Sequence, residues 1–268
     1  MSAEPWIVDG GAEVVEPHRV HLGSGEAAGL VRCSPQKVPG DGEDALAVLP
    51  VDDSTTVLAI ADGLGGHAQG ARAASIVVRA LADAVAGLAG DPAGLRGALL
   101  DAVEAAQKEV LALGSGAGAT LAAIAIGPEG AFPLHAGDSG VLVVGQRGAL
   151  RLQTVLHSPT GYALEAGLID EEQALAHDER HLISNFVGCE GMHLQVGEAL
   201  VLRARDTVLV TSDGLLDNFS TAELVESIRR GPLERSAAQL AREARQRMAA
   251  PHGKPDDLSL LLFRRRPR

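Results

Sequence analysis

The apolar residues of this chain occur in short runs, and several of these runs end in an acidic residue followed by glycine. The run at 57–61 is apolar at every position, which predicts a buried strand, and Asp62 follows it directly. An unpaired carboxylate at the end of a buried strand is energetically costly, so Asp62 indicates a bound cation. The alternative is a capping residue in an ordinary turn, because Asp-Gly is a common turn dipeptide.

The remaining pattern predicts groups of strands separated by helices. Asp91-Pro92 predicts a helix start, and the glycines at 127 and 130 predict a turn between two strands. Residues 1–34 are loosely patterned, and we expect there a mobile start with at most one edge strand. Helices are predicted at 69–88, 95–113, from Thr221 and at 233–248, and strands at 45–51, 56–61, 119–126, 131–136, 141–144, 150–155, 192–196, 199–203, 207–211 and 258–263.

Composition narrows the class of protein. The 268 residues have a mean hydropathy of +0.11 and 46% hydrophobic content, which suits one large globular domain or two small ones. The net charge of -12 argues against nucleic acid as a partner, since a phosphate backbone needs a basic surface. Cys33 and Cys189 form no metal-finger or disulfide pattern, so we expect a reducing, cytoplasmic setting. The sequence shows no signal-like start and no apolar run of about 18 residues, so no membrane association is expected.

Acidic residues follow or precede predicted strands at five places in the chain. Carboxylate oxygens are ligands that Mg²⁺ and Mn²⁺ prefer. A pair of such ions can hold an attacking hydroxide beside a phosphoryl oxygen, so the pattern suggests hydrolysis of a phosphate ester. The five places are Glu43 with Asp44, Asp62, Asp138, Asp213, and Asp256 with Asp257.

The segment 157–188 interrupts the strand pattern, because it is long, polar and only briefly helical, around 171–177. A long insertion of this kind is usually functional or disordered. His177 and His181 have the i, i+4 spacing of a helical zinc site. Interleaved charged residues fit a solvated surface at least as well.

In these motifs the chain resembles the metal-dependent serine/threonine protein phosphatases of type 2C, in their bacterial form. The resemblance spans roughly residues 34–263, and the Asp62 and Asp213 motifs are its specific parts. The motifs occur in the family's order: Gly42-Glu43-Asp44, Ala61-Asp62-Gly63-Leu64-Gly65-Gly66-His67, Gly118-Ala119-Thr120, Gly137-Asp138-Ser139, Ser212-Asp213-Gly214-Leu215-Leu216-Asp217 and Asp256-Asp257-Leu258-Ser259.

The resemblance implies an α+β fold, a four-layer α-β-β-α sandwich of two antiparallel sheets flanked by helices. It also implies a phosphatase domain at 31–263 with a flap at 157–188, an extension at 1–30 and a basic tail at 264–268. The implied cofactors are two Mn²⁺ or Mg²⁺ ions, with a third and weaker one beside Asp138. The implied metal ligands are Glu43, Asp44, Asp62 as the bridging residue, the Gly63 carbonyl, Asp138, Asp213 and Asp256, with Asp257 as the alternative to Asp256.

Four departures from the family pattern affect the site. The family's phosphate-binding arginine falls at Pro39, so Lys37 is the candidate to contact the substrate phosphate. Gly140 stands where arginine is usual, and Asp257 stands where asparagine is usual. Leu64 replaces a histidine of the eukaryotic members, which leaves His67 or a metal-bound water as the proton donor to the leaving group.

The expected activity is hydrolysis of phosphoserine and phosphothreonine in proteins by a metal-bridging hydroxide, with Asp62, Asp213 and His67 as catalytic residues. The expected partners are phosphorylated proteins, together with a Ser/Thr kinase that shares them. The missing arginine favours an alternative, a pseudophosphatase that binds a phosphorylated partner. A phosphatase of sigma-factor regulators would share the fold and differ only in substrate.

Overall fold

The computed structural model describes residues 3–64, 66, 68–114, 116–251 and 253–265. None of the described helices is long and apolar enough to span a membrane. The strands are β1 Trp6–Val8, β2 Val14–His21, β3 Gly25–Arg32, β4 Ala45–Pro50, β5 Thr56–Ala61, β6 Gly63–Leu64, β7 Gly118–Ala119, β8 Leu121–Ile126, β9 Ala131–Ala136, β10 Gly140–Val144, β11 Leu150–Gln153, β12 Gln195–Val196, β13 Thr207–Thr211 and β14 Leu258–Arg265. The helices are α1 Ala68–Gly87, α2 Leu95–Ala112, α3 Pro159–Glu165, α4 Glu171–Leu175, α5 Asp213–Leu216, α6 Thr221–Ile228 and α7 Leu233–Met248.

Two antiparallel sheets form the centre of the molecule. The first has the strand order β1-β4-β5-β8-β9-β12, and the second has the order β11-β10-β13-β14-β3-β2. A short pair, β6 with β7, lies apart from both. The predicted class of two antiparallel sheets with flanking helices is confirmed.

The alternation of side chains along the strands produces three hydrophobic cores. In β4, Ala45, Ala47 and Leu49 face α1 and α2, whereas Leu46 and Val48 face the second sheet. Successive residues of a strand point to opposite faces, so one strand serves two cores. The second sheet likewise packs its outer face, which includes Leu209, against α5, α6 and α7. The layers therefore run helix, sheet, sheet, helix.

The expectation of a mobile N-terminal segment with at most one edge strand is wrong. The structure has three strands before residue 34, and β3 lies inside the second sheet between β14 and β2. In the sheet, Gly29 is required by space, because a Cβ there would lie 2.8 Å from the Leu260 carbonyl oxygen. The segment is part of the folded domain rather than an extension to it.

Three other expectations need correction. The predicted strand at 199–203 is reduced to one bridge between Ala131 and Leu200. The segment 157–188 contains a second helix, α3, that the sequence did not indicate. Helix α4 ends at Leu175, so His177 and His181 do not share a helix face. The geometry proposed for zinc is absent, because both histidines lie beyond the helix end.

Candidate metal centre

Strand register gathers the predicted acids at one end of the two sheets. In the first sheet Ala45 pairs with Ala61, so Asp44, which precedes β4, lies beside Asp62, which follows β5. In the second sheet the start of β10 and the start of β14 both pair with the end of β13, near Thr211. Because antiparallel neighbours begin where their partners end, acids before one strand meet acids after the next.

Buried hydroxyl groups connect the acids across the two sheets. Ser212 Oγ donates to Asp44 Oδ2 over 2.9 Å, which joins the end of β13 to the start of β4. The Asp62 N–H donates to Thr120 Oγ1 over 2.9 Å, and Thr120 Oγ1 lies 2.7 Å from Ser139 Oγ. These contacts fix the acid-bearing turns relative to one another before any ligand binds.

Burial of several like charges changes the acidity of the carboxyl groups. Burial, and then the nearby Asp44 and Asp213, raise the pKa of Asp62 well above its ordinary value. Burial and Asp257 raise the pKa of Asp44 to about 8. Carboxylates that repel one another in this way need positive charge among them if all are to be ionised at neutral pH.

Three buried carboxylate oxygens have no hydrogen-bond partner within the described chain: Glu43 Oε1, Asp44 Oδ1 and Asp213 Oδ1. In each residue the second oxygen is held by a protein group. Oxygen-only donors of this kind fit a hard divalent cation. No group of three or more His, Cys, Asp or Glu side chains in the described ranges is already arranged around a metal position. Two lysine ammonium groups lie among the carboxylates.

Lys37, the predicted phosphate ligand, lies in an ion pair. Its Nζ is 2.6 Å from Glu43 Oε2 and 2.7 Å from Asp257 Oδ2. Burial lowers the pKa of Lys37, but the hydrogen bonds to Asp257 and Glu43 outweigh this and raise it. Asp257 also accepts from the N–H groups of Ser34 and Glu43 at 2.7 and 2.6 Å. Asp257 is thus a buried structural acceptor, and the partly buried Asp256 is the better candidate ligand of the two.

Lys254 and Asp217 belong to the centre, and the sequence analysis assigned neither a role. Lys254 Nζ contacts Asp213 Oδ2 and lies 2.6 Å from Asp217 Oδ2 and 3.4 Å from Asp256 Oδ2. Burial raises the pKa of Asp213, but the charge of Lys254 outweighs this and lowers it. The i, i+4 spacing of Asp213 and Asp217 could have indicated a shared helix face, but nothing local pointed to Lys254.

The glycines of the motifs allow close backbone approach around the acids. A Cβ at Gly63 would lie 2.3 Å from the Gly70 carbonyl oxygen, and a Cβ at Gly214 would lie 1.9 Å from the Asp257 carbonyl oxygen. Glu43 Oε1 packs directly over Gly70 in the first turn of α1. His67, the proposed proton donor, lies outside the described residues.

The flap at 157–188 is fastened next to the Asp138 turn by His157. His157 Nδ1 accepts from the Gly137 N–H at 3.1 Å and from Asn185 Nδ2 at 2.8 Å, so its Nε2 carries the proton and donates to Gln195 Oε1. Burial lowers the pKa of His157, which favours this neutral form. Asp138 itself is buried in the turn.

Comparisons with known proteins agree with this fold. Residues 41–250 match the family described as protein phosphatase 2C. The serine/threonine phosphatase stp of Listeria innocua is 29% identical over 199 residues, which cover 70% of this chain and 77% of that protein. The PPM Ser-Thr phosphatase MsPP from Mycobacterium smegmatis, solved with cacodylate, has a TM-score of 0.73 and 26% identity over 89% of this chain and 97% of its own. The catalytic domain of the serine threonine protein phosphatase PstP, solved with 2 manganese ions, has a TM-score of 0.68 and 26% identity over 90% and 98% of the two chains.

The two sheets, their helices and the carboxylate centre define a metal-dependent phosphatase of the bacterial PPM class. This chain belongs to the protein phosphatase 2C family, whose class of enzyme is the protein-serine/threonine phosphatase.

Proposed function

We propose that the carboxylate centre binds two divalent cations, Mn²⁺ or Mg²⁺, and that the protein uses them to hydrolyse phosphoserine and phosphothreonine in other proteins. The observation that carries this proposal is the set of buried oxygens on Glu43, Asp44 and Asp213 that have no partner in the part of the chain that the structure describes. A buried carboxylate oxygen without a partner is costly, and a cation satisfies it. The bound ions would supply an acidified water as nucleophile and positive charge against the phosphoryl oxygens.

Each residue of the centre has a proposed part in this chemistry. Asp62, between the acids of both sheets, is the candidate for the bridging ligand, and Asp213 presents its free oxygen from the start of α5. His67 remains a sequence-based candidate for protonating the leaving group. The proposed ligands of the two ions are Glu43, Asp44, Asp62, the Gly63 carbonyl, Asp213 and Asp256, and Asp138 is the sequence-based candidate ligand for a third, weaker ion.

Lys37 is the proposed contact to the substrate phosphate. An ammonium group has three N–H donors, and the ion pairs with Glu43 and Asp257 use two of them. The Lys37 side chain is 21% exposed. One donor is therefore free to meet a phosphate oxygen at the edge of the centre, as a point charge without the two-pronged geometry of arginine.

The ion pairs also favour a second candidate function, a pseudophosphatase that binds a phosphorylated partner without cleaving it. Lys37 and Lys254 both neutralise acids that a metal would otherwise neutralise. If these lysines replaced the ions altogether, the third N–H donor of Lys37 would still be available to a phosphate oxygen of a partner. The two functions differ in turnover and in response to Mn²⁺.

Substitution of the acids separates the two functions. We expect Asp62→Asn and Asp213→Asn each to lower kcat on a phosphothreonine peptide by several orders of magnitude, because each removes a charged ligand. Asp83→Asn, on the exposed face of α1, is the matched control and should leave the rate unchanged. A wild-type protein that binds the peptide and releases no phosphate would support the pseudophosphatase instead.

We further propose that the physiological partners are phosphoproteins and the Ser/Thr kinase that modifies them. The free cysteines Cys33 and Cys189 are consistent with a cytoplasmic setting. A Ser/Thr kinase that this protein dephosphorylates in vitro would support the kinase as a partner.

A further inference from the structure

Lys254 is a lysine surrounded by carboxylates in the interior of the centre. Its Nζ contacts Asp213 Oδ2, lies 2.6 Å from Asp217 Oδ2 and lies 3.4 Å from Asp256 Oδ2. Burial and the charge of Asp213 raise the pKa of Asp138, and the charge of Lys254 opposes this rise. The Lys254 side chain is only 16% exposed. The ammonium group therefore stands where several negative charges converge.

The position of Lys254 is built into the fold. The buried side chain of Asn218 holds its backbone from both sides, accepting from the Lys254 N–H at 3.2 Å and donating to the Lys254 carbonyl at 3.0 Å. Asn218 also donates to the Gly214 carbonyl of α5. The segment of α5 thus holds both parts of Lys254. Asn218 fixes its backbone, and Asp213 and Asp217 bind its ammonium group.

Asp213 divides its two oxygens between two tasks. Oδ2 binds the ammonium group of Lys254, whereas Oδ1 is buried and has no partner in the described chain. Asp217 directs Oδ2 at the same ammonium group. One side of Asp213 is thus already neutralised by the protein, and the other side is open to a ligand.

We propose that Lys254 is a fixed internal cation that fills the subsite formed by Asp213 and Asp217, so that the centre takes two divalent ions and no third. The inference rests on the proposed function, because it assigns the open oxygen of Asp213 to a divalent ion. It replaces the expectation of a third, weaker ion beside Asp138. An ammonium group supplies one positive charge there at every Mn²⁺ concentration.

The test counts bound Mn²⁺ by equilibrium dialysis, followed by metal analysis of the protein. We expect wild-type protein to saturate at two ions per chain and Lys254→Met to take one additional, weaker ion. Lys108→Met is the matched control, because Lys108 is exposed on α2 and should leave the count at two. The double variant Lys254→Met with Asp217→Asn should return the count to two, since it lacks a ligand of the vacated subsite.

Thermal unfolding provides a second readout that needs no turnover. Removing one partner of a buried ion pair leaves uncompensated charge, so Lys254→Met should unfold at a lower temperature than wild type in EDTA. Mn²⁺ should raise its Tm by more than it raises that of wild type. A variant that folds only with Mn²⁺ present is refolded in Mn²⁺ and its ions are then counted.

The outcomes separate the inference from the proposed function. Three ions in the wild-type protein, or two in Lys254→Met, would overturn the inference and leave a metal-dependent phosphatase intact. A third ion that persists in the double variant would also overturn it. Wild-type protein that takes up no Mn²⁺ would overturn the proposed function and the inference together.

Discussion

Three acids of the centre each have one oxygen held by the protein and one oxygen available to a ligand. Glu43 binds Lys37, Asp44 binds Ser212 and Asp213 binds Lys254, and in each case the other oxygen is buried and has no partner among the described residues. Held oxygens fix the orientation of the free ones, which is the preorganisation that a metal centre needs. The sequence identified these acids because they flank apolar runs. It could not identify Lys254, because only the folded chain brings residue 254 to α5.

The pair of Lys37 and Asp257 explains two departures from the family pattern together. Asp257 stands where an amide is usual, and Lys37 neutralises the charge that this introduces. We expect Lys37→Ala to destabilise the protein, because Asp257 would remain buried without a counter-charge. A fully buried pair loses about 3–5 kcal/mol in this way, and the loss should be smaller here because Lys37 is 21% exposed. Urea unfolding measures the change.

The double variant Lys37→Ala with Asp257→Asn is the control for that loss. Asparagine removes the uncompensated charge but has one carbonyl oxygen, which replaces only one of the two carboxylate oxygens that accept from the N–H groups of Ser34 and Glu43, so part of the stability should return. If Lys37 also contacts phosphate, KM should stay raised in the stable double variant. If KM returns to the wild-type value along with stability, Lys37 does not contact the substrate phosphate and has only a structural role.

His135 predicts how stability responds to acid. Burial lowers its pKa to about 4 from an ordinary 6.5, while its Nε2 bonds to the Val155 carbonyl. A depressed histidine pKa contributes stability that is present above about pH 6.5 and lost as pH falls toward 4. We therefore expect the unfolding free energy of His135→Gln to fall less than that of wild type as the pH is lowered from 6.5 to 4. The free energies are measured in EDTA.

His181→Gln is the comparison for that measurement, because His181 is exposed on the flap. The unfolding free energy of the His181→Gln variant should depend on pH as that of wild type does. If the unfolding free energies of His135→Gln and wild type change equally with pH between 6.5 and 4, the assignment of a neutral, buried His135 is contradicted.

Strand register accounts for most of what could be predicted about the elements. The strands at 56–61 and 207–211 are apolar apart from threonines at their ends and were predicted at the bounds of β5 and β13. Because the acids were located at the ends of such strands, their convergence followed from antiparallel pairing. Strands β2 and β3 were missed because β2 is mostly exposed and β3 is rich in glycine and alanine, so neither has a strong pattern.

Asn185 links the two ends of the flap to each other and to the segment that follows. Asn185 Nδ2 donates to His157 Nδ1 and to the His193 carbonyl, and its Oδ1 accepts from the His193 N–H. Asn185→Ala removes these three hydrogen bonds, whose usual net contribution is about 0.5–1.5 kcal/mol each, while His157 Nδ1 keeps the Gly137 N–H. We expect faster amide hydrogen exchange across 157–188, with little change in β5 or β13.

Gln173→Ala is the matched control within the flap. It removes an exposed hydrogen bond to the Asp170 N–H at the start of α4. Exchange should then change only near α4. Unchanged exchange in Asn185→Ala would show that the flap is held by contacts other than this one.

The four-layer arrangement explains why the centre lies where it does. Each sheet covers its outer face with helices, and the inner faces pack together through a shared core. The ends of the two sheets then meet at one edge, where Asp44 and Asp62 of the first approach Asp213 of the second. Neither sheet could assemble this group of acids alone. The metal centre is therefore a property of the assembled sandwich, and metal binding should report on its integrity.

The most direct test of this account is the initial rate of phosphate release from a phosphothreonine peptide as Mn²⁺ is titrated into metal-free protein. We expect no release in EDTA and a rate that rises with Mn²⁺ and saturates, because the proposed ions would satisfy the oxygens of Glu43, Asp44 and Asp213 that have no partner among the described residues. Release that continues undiminished after thorough chelation would contradict it. So would peptide binding with no release at any Mn²⁺ concentration.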